Sequence, residues 1–191
     1  MKPHPNFAKL RDSIGKLVGR AGPVVRTVYR PSEPGYVNAG DLLSGAGSQV
    51  HGGRWNPPAS FPTIYAAYTV ETAIAEAEAQ TRYYGFDLAQ VWPRTVVAVD
   101  VRLQKVLDLT DGSVRQSLRV SEGRMIADHW RKLNDDAGEE SLTQAIGKAA
   151  FEAGLEGMVV RAGDGGQNLV WFRRNLDRKS KIAIRHEEGL I

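Results

Sequence analysis

The chain contains no cysteine, which removes disulfides, thiolate metal sites and cysteine nucleophiles together. Nowhere does it hold the ~20 consecutive apolar residues that a membrane-spanning helix requires. Its basic start, with Lys2, Lys9, Arg11 and Lys16, is followed by no apolar signal-peptide core, so a cytoplasmic location with no membrane partner is expected. Histidine is scarce: His4, His51, His129 and His186 lack the i, i+4 spacing of a helical metal site, and no metal is expected. A strong charge of one sign is missing as well. The formal net charge is +3, whereas a nucleic-acid binder concentrates basic residues on one patch or helix. Most of the excess is local, since Arg161, Arg173, Arg174, Arg178, Lys179, Lys181 and Arg185 meet only Asp164 and Asp177. That run reads first as a solvated face and second as a surface for an anionic partner, with direct nucleic-acid binding the least supported reading.

Familiar catalytic signatures are absent too. Gly45-Ala46-Gly47-Ser48-Gln49-Val50 has valine where the dinucleotide fingerprint needs a third glycine, and no helix is expected after it, so a Rossmann site is excluded. There is no Walker lysine, no Gly-x-Ser-x-Gly elbow and no evident serine paired with histidine and aspartate. No internal repeat, linker or low-complexity tract divides the chain.

What is present is an ordinary globular composition, 42% hydrophobic and 25% charged over 191 residues, enough for one domain with a real core. Apolar Phe7, Leu10, Ile14, Leu17 and Val18 predict a docking helix over 7–18, ended by Ala21-Gly22-Pro23. The β-branched segment 24–30 predicts a strand closed by Pro31. A long loop rich in glycine follows, containing Pro34, Gly35, Gly40, Gly45, Gly47, Gly52 and Gly53; such loops are usually functional or mobile. Residues 63–68 predict a buried strand, 70–82 a helix, 95–101 the central strand and 106–109 a short edge strand. Helices are predicted over 123–133 and 142–153, the second stopped by Gly154. Strands at 157–161, 168–173 and 181–185 complete the pattern, the first two joined by Gly163-Asp164-Gly165-Gly166. Helices and strands interleave without regular alternation, which predicts an α+β single domain with a mixed β-sheet and flanking helices.

The most informative stretch is His51-Gly52-Gly53-Arg54-Trp55-Asn56-Pro57-Pro58. A guanidinium offers a rigid fork of donors that grips phosphate oxygens in pairs, and neighbouring glycines allow close approach to backbone. Trp55 and Tyr65 can supply flat apolar surface for a base or pyridine ring, with Asn56 as amide donor and acceptor. Tyr65 follows Arg54 by eleven residues and Glu76 follows Tyr65 by eleven. On the predicted helix, Val70, Ala73, Ile74 and Ala77 form the buried stripe and Glu76 shares a flank with Thr69 and Gln80. Small neighbours Ala73, Ala75, Ala77 and Ala79 leave room for a ligand beside it. The blander readings are a turn ion pair for Arg54, core positions for Trp55 and Tyr65, a surface charge for Glu76 and a structural pair for Arg30.

These residues resemble the RES domain family, toxins paired with Xre-like antitoxins. Arg30 resembles the family's first arginine and Gly52-Gly53-Arg54-Trp55-Asn56 its most recognisable motif. Tyr65 and Glu76 match the tyrosine of the next strand and the glutamate of the helix. The segments 154–160 and 166–172 resemble the closing strands, and the resemblance covers roughly residues 25–185. It implies an ADP-ribosyltransferase-like fold that binds NAD+ as substrate and cleaves its nicotinamide-ribose bond. Glu76, Arg54 and Tyr65 would then be catalytic, and Arg30, Gly52, Gly53, Arg54, Trp55, Asn56, Tyr65 and Asn168 would bind the cofactor. Glu76 would stabilise the charge that develops on the ribose, and Arg30 and Arg54 would hold the diphosphate.

Residues 1–23, with the helix read from apolar spacing, are expected to be an N-terminal docking helix and linker, and the resemblance implies residues 24–191 as the NAD-binding catalytic domain. An Xre-like antitoxin is the implied protein partner; a protein acceptor of ADP-ribose and a homodimer stay open, as do hydrolysis, phosphorolysis and transfer. The family's serine aligns with Ala162, and neither Ser44 nor Ser48 is an obvious substitute. Thr69 is expected to cap its helix. The alternative is therefore a catalytically weakened or silent relative that keeps the pocket or binds a partner.

Overall fold

The computed structural model describes residues 1–32, 39–87 and 95–185; Pro34 and Gly35 of the expected loop, His186 and residues 187–191 lie outside them. Helix α1 (Phe7–Leu17) buries Leu10, Ile14 and Leu17 along one stripe. An eleven-residue helix is marginal alone. The stripe holds it instead, each buried aliphatic side chain contributing about 1.5–3 kcal/mol, by packing into the core that α8 (Leu142–Glu152) also fills.

Strand β1 (Gly22–Ser32) runs past Pro31, which pairs with Val96. Proline is tolerated near a strand end when the ladder does not draw on its missing donor, so Pro31 does not close the strand as expected. The two segments predicted at 95–101 and 106–109 form one fourteen-residue strand, β3 (Thr95–Asp108). Val97, Val99, Val101 and Leu103 are buried, so the two-residue alternation continues through polar Arg102 and Gln104. Val24 pairs with Leu103 and Gly22 with Val106: the register slips by one residue there, and this moves the buried face to Val106 and Leu107.

Strands β2 (Thr63–Ala67), β4 (Gly157–Arg161), β5 (Gln167–Phe172) and β6 (Lys181–Ile184) complete the sheet. Its order is β1-β2-β5-β4-β3-β6, and an added β1–β3 pairing joins the first strand to the fifth. The sheet is mixed: β3 and β4 run parallel, and the other pairs are antiparallel. Alternation sends Ile64, Ala66, Val159, Leu169 and Trp171 into one core and Tyr65, Met158, Val160, Val170 and Phe172 toward the other, which the helices share.

Two short helices, α2 (Ala39–Leu42) and α3 (Ala46–His51), occupy the stretch read as a glycine-rich loop. Helix α4 (Val70–Tyr83) is capped by Thr69, whose side chain accepts from Thr72 N. Its buried stripe is Thr72, Ala73, Ala77 and Thr81, turned from the expected stripe: Val70 and Ile74 are only partly buried. Helix α5 (Gly112–Leu118), capped by Asp111, has too few apolar positions to stand out in the sequence. The helix expected at 123–133 is two, α6 (Glu122–Ile126) and α7 (Trp130–Ala137). Helix α8 opens with a capping box between Ser141 and Gln144. Its Gly147 lies against the Trp55 carbonyl with no space for a Cβ. No described helix is long and apolar enough to cross a membrane.

Candidate active site

The segment 52–56 is built from the inside. Gly53 N donates to Asn56 O at 2.9 Å, and Gln144 Nε2 on α8 donates to Gly53 O at 3.0 Å. The Tyr65 hydroxyl donates to Asn56 Oδ1 at 2.6 Å and accepts from Trp55 N at 3.0 Å. Asn56 Nδ2 donates to Ser48 O at 2.7 Å and, more weakly, to the carbonyls of Pro57 and Phe61. With Asn56 0% and Trp55 3% exposed, these two residues face inward and do not offer the ligand surface expected of them. Gly53 is needed because a Cβ would collide with the Tyr65 hydroxyl. The glycine therefore admits a side chain of the same molecule rather than a ligand, and half-buried Gly52 ends α3 beneath Pro58.

Arg54 turns the other way. Its Nη1 donates to the carbonyls of Met125, Ile126 and Asp128 at 2.9, 3.3 and 3.2 Å. These include the last carbonyls of α6, which have no helical partner and carry the negative end of the helix dipole. The guanidinium thus explains why the predicted helix breaks between α6 and α7. Burial lowers the Arg54 pKa, opposed by the carboxylates of Glu76 and Asp128, while Arg131 lowers it further. Glu76 and Arg131 are therefore both within electrostatic reach of Arg54.

Arg30, near the end of β1, donates from Nη1 to Tyr65 O at 2.8 Å. Its Nε is buried without a hydrogen-bond partner, and burial lowers its pKa. Burial also drives the Tyr65 pKa well above the ordinary phenol value, although Arg54, Arg30 and Arg131 all pull it down. Tyr65 is consequently a neutral hydroxyl that fixes the loop, with guanidinium groups arranged around it.

Glu76 projects from α4 and is exposed. Its Oε1 accepts from Gly163 N at 3.2 Å and from Asn168 Nδ2 at 3.3 Å. Two long hydrogen bonds position the carboxylate without using up its acceptor capacity. Asn168 Oδ1, on β5, is buried and unpaired. Ala162 is 2% exposed and pairs through its backbone with Gly165 and Gly166, so the position aligned with the family serine carries a buried methyl next to the amide that holds Glu76.

Hydrogen bonds thus join Arg30 to Tyr65 and Glu76 to Asn168 on β2 and β5, Arg54 lies within electrostatic reach of Glu76 and Tyr65, and Gly52, Gly53, Trp55 and Asn56 belong to the loop that Tyr65 braces. Arg131 was not singled out from the sequence, where it falls inside an amphipathic stretch with no motif. The basic C-terminal run is dispersed: Arg161 pairs with Glu122, Arg185 with Asp100, and Arg173 donates to Leu43 O. A surface cleft of about 600 Å³ between α1 and the end of α8, lined by Arg11, Asp12, Gly15, Lys16, Glu152 and Ala153, contains none of the site residues. Among the described residues, no three histidine or acidic side chains gather into a group that could hold a metal ion.

Comparison with known proteins gives consistent results. The chain is 28% identical over 152 residues to proteins named NAD(+) phosphorylase MbcT from Mycobacterium tuberculosis and Mycobacterium bovis, covering 78% of this chain and 76% of theirs. It superposes on the crystal structure of the M. tuberculosis MbcT-MbcA toxin-antitoxin complex with a TM-score of 0.71 and 25% identity, over 93% of this chain and 91% of that one. The RES domain family model matches residues 27–188. The chain belongs to the RES domain family.

Proposed function

We propose that this protein is a toxin that binds NAD+ and breaks its nicotinamide-ribose bond, using residues 24–191, with residues 1–23 as docking helix and linker. The observation that carries the reading is the lightly held, exposed carboxylate of Glu76, within electrostatic reach of Arg54, in a chain similar to proteins named for NAD+ phosphorolysis. Nicotinamide leaves with the electron pair of its bond to ribose C1′, and C1′ gains positive charge before an acceptor oxygen attacks it. Glu76 faces that charge and lowers its energy, more strongly once the bound dinucleotide displaces water from its exposed carboxylate. Arg30 and Arg54 bind the diphosphate. Tyr65 is a positioning residue, since its hydroxyl is committed to Trp55 and Asn56, and Asn168 orients Glu76.

Phosphate is the acceptor favoured here over water or a protein side chain, because the similar MbcT proteins are named as phosphorylases. An antitoxin protein of the Xre-like type is proposed to restrain the enzyme, since the structural neighbour is a toxin-antitoxin complex. Buried Ala162 favours one second reading, a catalytically silent relative that retains the pocket.

Nicotinamide release by the purified chain, with and without phosphate, tests the proposal. Glu76→Gln should retain fold and NAD+ binding and lose roughly 10²-fold or more in turnover, the scale of one preorganised electrostatic group. Undiminished turnover by that variant would remove Glu76 from the mechanism. NAD+ binding by the unmodified chain without any product would leave the silent reading.

A further inference from the structure

Arg131 lies in the first turn of α7, and among the described residues its guanidinium is held by rings rather than by hydrogen bonds. Its Cζ stands 4.3 Å from the ring centroid of Trp130, 4.7 Å from that of Tyr83 and 5.8 Å from that of Tyr84. A guanidinium stacked on aromatic faces keeps its in-plane N–H donors for another acceptor. The Arg131 Nε is buried and has no partner. A buried unpaired donor is costly, and an anion at the edge of the stacked guanidinium would offset that cost.

The surroundings identify the acceptor's chemistry. Asp128, three residues earlier, gives its carbonyl to Arg54 Nη1, so the two arginines are tied to one short segment. Their like charges oppose each other, and an anion between them would reverse that cost. Both nearby carboxylates, Asp128 and Glu76, have hydrogen-bond partners of their own, and among the described residues neither forms an ion pair with Arg131. Asp128 Oδ2 accepts from Thr143 N at 2.8 Å and from Thr143 Oγ1 at 2.6 Å, while Glu76 is bound by Gly163 and Asn168. Arg30, Arg54 and Arg131 all act on Tyr65, and Nε is unpaired on Arg30 and Arg131 alike.

We infer that Arg131 is a third anion-binding arginine of this site, which, with Arg54, grips a phosphate group while Trp130, Tyr83 and Tyr84 keep its guanidinium pre-oriented. The inference rests on the reading of the site given above. The phosphate group belongs either to the dinucleotide or to inorganic phosphate acting as acceptor, and one set of measurements separates the two sources.

The full chain and its Arg131→Met and Arg131→Lys variants would be titrated calorimetrically with ADP-ribose and with inorganic phosphate, and KM would be measured for NAD+ and for phosphate. Arg131→Met removes the charge and keeps an apolar body for the rings to pack on. It should weaken binding of at least one ligand tenfold or more, and Arg131→Lys should weaken it less. A loss confined to ADP-ribose and KM for NAD+ assigns the arginine to the dinucleotide; a loss confined to phosphate affinity and KM for phosphate assigns it to the acceptor. Affinities within twofold of the unmodified chain would overturn the inference, even if the melting temperature falls, because the stack would then be structural only. If Arg131→Met fails to fold, unchanged affinities in Arg131→Lys overturn it equally. An unmodified chain that binds both ligands but releases no nicotinamide would count against the proposed reaction while leaving the binding test of Arg131 intact; binding of neither ligand would overturn both.

Discussion

Tyr65 shows how much of this site depends on single atoms. Its hydroxyl joins Trp55 N and Asn56 Oδ1 and occupies the space that a Cβ at residue 53 would need. Tyr65→Phe should therefore destabilise the chain by about 1–3 kcal/mol, the cost of leaving buried polar groups unpaired, read as a fall in denaturation midpoint. The raised Tyr65 pKa makes a second statement about stability. An unfolded tyrosine ionises near pH 10 while the folded one keeps its proton because it is buried. Above that pH the folded state binds more protons than the unfolded state, so stability falls as pH rises from about 10 toward the folded value. Tyr68, also raised by burial, contributes in the same direction. The stability difference between the parent and Tyr65→Phe should accordingly shrink as pH climbs above about 10 in chemical denaturation series. A constant difference would mean that Tyr65 ionises as freely in the folded protein as in the unfolded chain.

At the scale of elements, the junction of α6 and α7 is the sensitive place. Three carbonyls there converge on one Arg54 nitrogen, so a residue that read as a ligand clamp also determines where two helices begin and end. Arg54→Met should release those carbonyls, and amide exchange over 125–131 should accelerate relative to α8. Substrate binding should weaken together with it, by about 1.5–3 kcal/mol for a lost charge-assisted hydrogen bond. Normal exchange in 125–131 with weakened binding would limit Arg54 to a ligand contact. The element pattern itself was mostly visible in advance, because periodicity of apolar residues marks α1, α4, α8 and the main strands. The split between α6 and α7 was not visible. Its cause is a guanidinium remote in sequence, and local periodicity carries no information about such a partner.

For the whole molecule, the sheet brings together the ends of β1, β2 and β5 with one face of α4, and thereby unites Arg30, Tyr65, Asn168 and Glu76. The resulting cluster is rich in buried or partly buried positive charge, and desolvated guanidinium groups cost folding free energy unless an anion accompanies them. A bound phosphate-bearing ligand should consequently stabilise the fold. ADP-ribose at about 100 times its dissociation constant should add about 2.7 kcal/mol by linkage, visible as a concentration-dependent rise in melting temperature. An unchanged melting temperature at saturating NAD+ and ADP-ribose would argue against a dinucleotide site.

Sequence alone determined the α+β class, the family and the identities of Arg30, Arg54, Glu76 and Asn168 as candidates, because strand and helix periods are local properties and the Gly-Gly-Arg-Trp-Asn segment is a local word. Only the tertiary structure decided which side of that segment is turned inward and which outward. Trp55 and Asn56 are buried by β2 and α8, Arg54 is turned out toward α6, and Arg131 of α7 stacks on Tyr83 at the end of α4. Those outcomes depend on which distant groups satisfy each buried donor and acceptor, and hydrogen-bond satisfaction is a property of the folded whole.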